Sequence, residues 1–251
     1  MTTINVSVNV DEAVKRLGFV RKQIPFIASL SLNRTGQKAK AKEEHEIRDV
    51  FDRPTPFIQN SIFLKPSNKT NLTALIGIKD FASKSVPATK ILEAEIKGGS
   101  RRLKRYEIAL RRVGALPNGY YTVPGAAAQI DQYGNIARKH ITQILAYFKA
   151  FPEAGYKANS TERSRARLKR GTKKKLGVSY FVGSPGDGKS PLGIWMRIHS
   201  SFGSAIKPVL IFIKSAQYQS VFDFKFVAEN TVKKEFNGEF ERAYREVLGD
   251  K

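Results

Sequence analysis

The fold class this sequence predicts is α+β. An antiparallel sheet, made of a hairpin and a C-terminal meander, is packed by long N-terminal and C-terminal helices, with a helical insertion in the middle. Three observations carry that expectation. Apolar residues Val14, Leu17, Val20 and Ile24 follow helical spacing near the start. The period switches to two at Ile62 and Leu64 and again in three runs after Gly177. A final polar-apolar stretch, Val227 to Leu248, returns to helical spacing. Helices grouped apart from a run of strands indicate α+β with an antiparallel sheet rather than a parallel α/β arrangement.

Taken in order, Ile4, Val6, Val8 and Val10 alternate as a short strand. Asp11 is placed to cap a helix with Glu12 in its first turn. That helix runs toward Ile47, kinked or restarted at Pro25, and ends before Pro54-Thr55-Pro56. A β-hairpin follows, its strands joined through Pro66-Ser67-Asn68-Lys69-Thr70. Pro87 opens a helix that Gly98-Gly99 stops. Ser100 is expected to cap a basic helix carrying Leu103, Tyr106 and Leu110, and Leu116 to Ile130 to cross as an extended segment. Asn135 is expected to cap the helix bearing Ile141, Ile144 and Leu145. Strands are expected at Gly177–Val182, Leu192–Ile198 and Pro208–Lys214. In domain terms this is one structural domain over residues 1–251, a helical insertion over 80–151, and a flexible basic loop over 152–176. The loop is expected because its composition offers too little apolar surface to offset ordering entropy.

Composition narrows the function. The 251 residues hold 44 Lys and Arg against 22 Asp and Glu, a net charge of +22, and the pI is near 10.2. With 41% hydrophobic residues the chain is ordinary globular material and not disordered throughout. Its longest clean apolar run, Val209 to Ile213, has a strand's length and is far short of a membrane span. The absence of cysteine excludes disulfides, Cys-ligated zinc, iron–sulfur clusters and thiol chemistry. The start of the chain has neither a basic stretch nor an apolar one, so no secretory signal is expected and assembly in a cytosol is. So large a positive charge steers a protein toward polyanions, and composition leaves two readings open: nucleic acid, or the acidic faces of neighbouring subunits. The candidate contact residues are Arg101, Arg102 and Arg105 in one cluster and Arg163, Arg165, Arg167, Lys169, Arg170, Lys173, Lys174 and Lys175 in another.

Gly183-Ser-Pro-Gly-Asp-Gly188-Lys189-Ser190 matches the phosphate-loop pattern GxxxxGK(S/T) after an apolar strand. The pattern works through backbone amides at the start of a helix. Here Pro191 and Gly193 lead instead into the alternation Ile194, Met196, Ile198, so a hairpin loop is expected and nucleotide hydrolysis is the weaker alternative. His45, His140 and His199 have no sequence neighbours that would make a metal face or a triad, and each is read as structural or solvated. Tyr218, Phe222, Phe224 and Phe226 recur at strand spacing, which suits core packing better than a base-stacking platform. No cofactor and no metal are expected, and no enzymatic activity.

Several segments resemble the phage minor tail protein Z family and related neck or tail-completion proteins. They are Pro25-Phe-Ile-Ala-Ser-Leu-Ser-Leu-Asn33-Arg-Thr-Gly36 on the long helix, and Phe51-Asp-Arg-Pro54-Thr55-Pro56-Phe57 at its end. A third is Gly193-Ile-Trp-Met-Arg197 with Ile206-Lys-Pro-Val-Leu-Ile-Phe212. Leu116 to Gly125 and Asp131 to Asn135 are similar to stretches of uncharacterised phage structural proteins. The resemblance covers about the first 60 and the last 75 residues, and the central part, about 80–176, is bulkier than compact members of the family. It implies an α+β virion protein of the head–tail junction, either a neck adaptor or a tail-completion component. Its copies would close a ring of six or a multiple around the DNA channel, between portal or adaptor and tail proteins. Localisation would be the virion, after assembly in the host cytoplasm, with passing double-stranded DNA as a further partner and no membrane. A basic nucleic-acid-binding protein is the alternative function.

Overall fold

The structure, a computed structural model, describes residues 10–83, 85–152, 157–200 and 202–249, with 10–17 described by backbone alone. The α+β class holds. The chain divides into two compact units, Met1–Leu92 with Val221–Lys251, and Glu93–Ser220.

The first unit is built on helix α1, Val10–Val50, and helix α7, Phe224–Leu248. At about 1.5 Å per residue, the 41 residues of α1 extend about 60 Å. The helix runs through Pro25 without restarting. It already includes Val10, so Asp11 lies inside it and is not its cap; the expected strand at Ile4 to Val8 lies outside the described residues. From Ile27 one row of buried positions steps by four, Ile27, Ser31, Thr35, Ala39, Glu43 and Ile47, with Ser29 and Gly36 buried beside it. This i, i+4 row forms a ridge of the kind that packs into a neighbouring helix's groove. Four of its six members are small or polar, which is why apolar periodicity faded after Leu32. α7 lies antiparallel along α1. Arg34 pairs with Glu246, Lys38 with Glu235 and Glu239, and the Phe51 ring meets that of Phe222.

Asp223 caps α7, its carboxylate accepting the Phe226 amide at 3.0 Å. Phe224 and Phe226 therefore lie in the helix, and Phe222 is buried just before it. The strand spacing read across Tyr218 to Phe226 is thus corrected, because a capped helix turns successive residues by 100° instead of 180°.

A short helix, α2 (Pro56–Gln59), leads into strands β1 (Ile62–Lys65) and β2 (Leu75–Ile78), the expected hairpin. Its loop docks on α1. Asn33 accepts the Ser67 amide at 2.7 Å and returns its own amide to the Ser67 carbonyl at 3.1 Å, and the Ser67 hydroxyl meets that of Ser29 at 3.0 Å. The chain passes into the second unit within helix α3, Ala88–Lys97, which ends at Gly98 with φ 72° as expected.

The second unit holds a four-stranded antiparallel sheet in which Tyr121–Pro124, Gly203–Ile213, Gly193–Ser200 and Gly177–Gly183 lie side by side in that order. Its strands are β4 (Tyr121–Pro124), β5 (Gly177–Gly183), β6 (Gly193–Ser200) and β7 (Gly203–Ile213). Helices α4 (Arg105–Arg112), α5 (Arg138–Tyr147) and α6 (Glu162–Arg170) complete it. The core gathers Leu110, Leu116, Ile144, Tyr180, Ile194 and Leu210 with their neighbours. The stretch 80–151 is not helical throughout, because β4 adds an edge strand to the meander through register Tyr121↔Ile213.

Ser100 does not cap a helix. With Gly99 it forms strand β3, paired to β8, Gln217–Tyr218. Nor does Asn135 cap α5, whose first residue is Arg138; it closes a turn in which Asp131 accepts the amides of Tyr133 and Asn135. The segment 152–176, expected as a loop, contains α6.

Candidate functional site

The densest run of cations in the sequence forms one surface of the second unit. Thr161 caps α6, its hydroxyl accepting the Ser164 amide at 3.1 Å. Glu162 stands in the first turn and Arg167, Lys169 and Arg170 in the last, the arrangement the helix dipole favours. Apart from Ser164, the residues between are straight-chain or Ala, good helix formers whatever their charge. Leu168 packs against the unit's core, and the Arg165 guanidinium lies 5.6 Å from the centre of the Tyr147 ring. With Ser164 these make the inward face. Arg163, Arg167 and Arg170, spaced i, i+4, i+7, make an exposed outward row.

The helix ends at Gly171, φ 76°. A tight turn then presents Lys173, Lys174 and Lys175, closed by Thr172 N–H to Lys175 O at 2.8 Å and the reverse bond at 3.1 Å. Gly177, the first residue of β5, lets the end of α6 approach so closely that a Cβ there would lie 1.8 Å from the Lys169 carbonyl oxygen. Among the described residues, Arg163, Arg167, Lys169, Arg170, Lys173, Lys174 and Lys175 form no ion pair with an acidic side chain.

The other cluster divides. Arg102 and Arg105 are exposed. Arg101 turns inward, its side chain 13% exposed, and forms a two-point ion pair with fully buried Glu107. Arg101 and Arg165 are thus held by the unit's own side chains, which spacing along the chain did not reveal.

The remaining candidates take structural positions. The residues Pro185 to Lys189 form a turn between β5 and β6, with no helix after it. The amides of Lys189 and Ser190 bond back to the carbonyls of Gly186 and Pro185, at 3.1 and 3.3 Å. Amides used in this way are turned away from a phosphate. His45 pairs with Asp49 on α1. His140 is buried, accepting the Gln129 amide on Nδ1 and facing the Tyr180 hydroxyl with Nε2, and burial pushes its pKa down. His199 Nε2 lies 3.0 Å from Ser179 Oγ, a cross-strand pair invisible in sequence. Among the described residues no carboxylate orients that imidazole, and no group of three or more His, Asp or Glu could hold a metal ion. No described helix is long and apolar enough to cross a membrane.

No protein-family model, curated protein or solved structure matches this chain.

Proposed function

We propose that this chain is a structural subunit of a phage virion, a neck or tail-completion component whose copies close a ring joining portal and tail around the DNA channel. One observation carries the reading. Between Gly18 and Phe26 none of the α1 side chains is buried, yet the stretch bears Phe19, 53% exposed, with Ile24 and Phe26 also exposed. An amphipathic helix leaves such residues uncovered where another chain is to cover them. The sheet supports the same function, since its outer strands β4 and β5 are positions at which a neighbour's strand can add.

In this function the mechanism is geometric. Each subunit supplies a helix and a strand edge, closed symmetry multiplies one contact around the ring, and the channel is the hole it leaves. Copy number in the assembled particle is the test. Mass measurement or imaging of virions should give six copies or a multiple, and a single copy would end the reading. Phe19→Asp with Phe26→Asp should abolish joining of heads to tails while the far-ultraviolet spectrum of the free chain is unchanged.

A further inference from the structure

Charge is not shared evenly between the two units. Glu93–Ser220 carries 23 Lys and Arg against seven Asp and Glu, a net of +16 out of the chain's +22. Within it, the outward row of α6, Lys169 beside it and the three lysines of the Thr172–Lys175 turn bring seven exposed cations together over residues 163–175, with Glu162 the one acid next to that stretch. From this we propose that the surface formed by Arg163, Arg167, Lys169, Arg170, Lys173 and Lys174 binds the phosphate backbone of duplex nucleic acid, without reading sequence. The inference goes beyond the ring function and does not depend on it.

Three features of the surface select this partner. First, it is held in place: Thr161 fixes one end of the helix, the Gly177 approach fixes the other, and Leu168 anchors the middle. Cations so placed lose less freedom on meeting a rigid polyanion than a disordered arm would. Second, the exposed residues from Arg163 to Lys175 are Arg, Lys, Thr and one Ala. A protein partner would need an apolar or aromatic centre within the polar rim, and Leu176 beside the turn is too small an area to form one. Third, the aromatic ring that α6 meets, Tyr147, lies under the Arg165 guanidinium, and the exposed residues of Arg163 to Lys175 include no aromatic on which an unpaired base could stack. Duplex backbone asks only for positive charge at fixed positions, with Arg forks suited to paired phosphate oxygens.

The test uses the full chain and a fluorescent 25-base-pair duplex in two unrelated sequences, with anisotropy followed over a range of salt. Both sequences should bind equally, with log affinity falling linearly against log salt. Replacing Arg163, Arg167 and Arg170 together by Gln should flatten the slope by roughly 2 to 3, at about 0.9 per lost phosphate contact. Lys173→Gln with Lys174→Gln lies outside the helix and should flatten it by roughly 2, so the outcome does not hang on α6 folding. Lys42, Lys90 and Lys233 changed together to Gln, an equal loss of charge from the other unit, should leave the slope unchanged. Equal flattening by the two triple variants would overturn the proposal, because net charge and not this surface would be responsible. So would the absence of duplex binding at low salt. Tighter binding to polyglutamate than to duplex, lost in the same variants, would overturn it in favour of an acidic protein partner.

Discussion

Arg101 and Glu107 form a buried ion pair at two points, Nη1 2.8 Å from Oε2 and Nη2 2.7 Å from Oε1. The carboxylate also accepts the Lys104 amide at 2.7 Å, and the amide and hydroxyl of Thr122, each at 2.8 Å. One side chain thus closes the first turn of α4, holds β4 and immobilises the segment between β3 and α4. Burial alone would raise the Glu107 pKa, but Arg101 and these donors outweigh it and hold the carboxyl below its usual range. The stability this contributes is present above the ordinary carboxylate value and is lost as pH falls through the lower, folded value.

Removing one partner leaves the other charge buried and unpaired. Glu107→Ala should cost about 3–5 kcal/mol, and Arg101→Ala a comparable amount, in chemical denaturation at neutral pH. If Arg101 were a partner-contact residue instead, its replacement would leave the midpoint within experimental error of the parent's.

Glu43 shows the opposite sign. It occupies the α1 ridge with no exposed surface, and neither carboxyl oxygen has a hydrogen-bond partner among the described residues. Burial, with the negative charges of Glu46 and Asp223, pushes its pKa up to about 8, and the Ala228 backbone of α7 opposes this at a geometry short of a full hydrogen bond. The folded chain therefore keeps a proton that the unfolded chain releases near 4.5. Its contribution to stability is complete below that value and is lost as pH rises through about 8, at about 1.4 kcal/mol per unit inside the window. Glu43→Gln should be more stable than the parent at pH 9 and close to it at pH 5. Comparing the two proteins cancels the opposing titrations of Glu107 and Glu239. A difference that does not change with pH would show that Glu43 is already ionised when folded.

Two glycines should respond in opposite directions. Gly177→Ala drives a Cβ into the Lys169 carbonyl, a backbone atom that cannot move without displacing the end of α6. A loss of about 1–3 kcal/mol is expected, with faster tryptic cleavage within 163–175. Gly238 lies inside α7 with nothing within 4 Å of an added Cβ. Gly238→Ala should stabilise the chain by about 0.5–1 kcal/mol. Thermal melts of both variants decide this, and equal melting temperatures would contradict the packing of α6 on β5.

Lys189→Ala should change neither melting temperature nor assembly, since its side chain is exposed and its amide is used within the β5–β6 turn. Saturable ATP binding that this substitution removed would mean that the turn reopens to hold phosphate.

Features that depend only on neighbours along the chain were legible in the order of residues. The hairpin at Ile62 to Ile78, the stop at Gly98, the strands of the meander and the loop at Pro185 to Lys189 are written in period and turn chemistry acting over a few residues. So was the position of every cation. Tertiary structure decided where those charges point and what the polar residues face. Arg101 is internal only because the fold places Glu107 and Thr122 against it. The α1 ridge could not be read from apolar period because Ser31, Thr35, Ala39 and Glu43 are buried by helix approach and not by their own hydrophobicity. Ser100 and Asn135 have the side chains of helix caps, yet pairing with Gln217 and a turn closed by Asp131 claimed them first. α6 stands between the two cases: its cap and its helix-forming residues are local, but Leu168 and Gly177 give it a surface to rest on. Short-range propensities are fractions of a kcal/mol per residue, so where several conformations are close in energy, burial and pairing with distant segments choose among them.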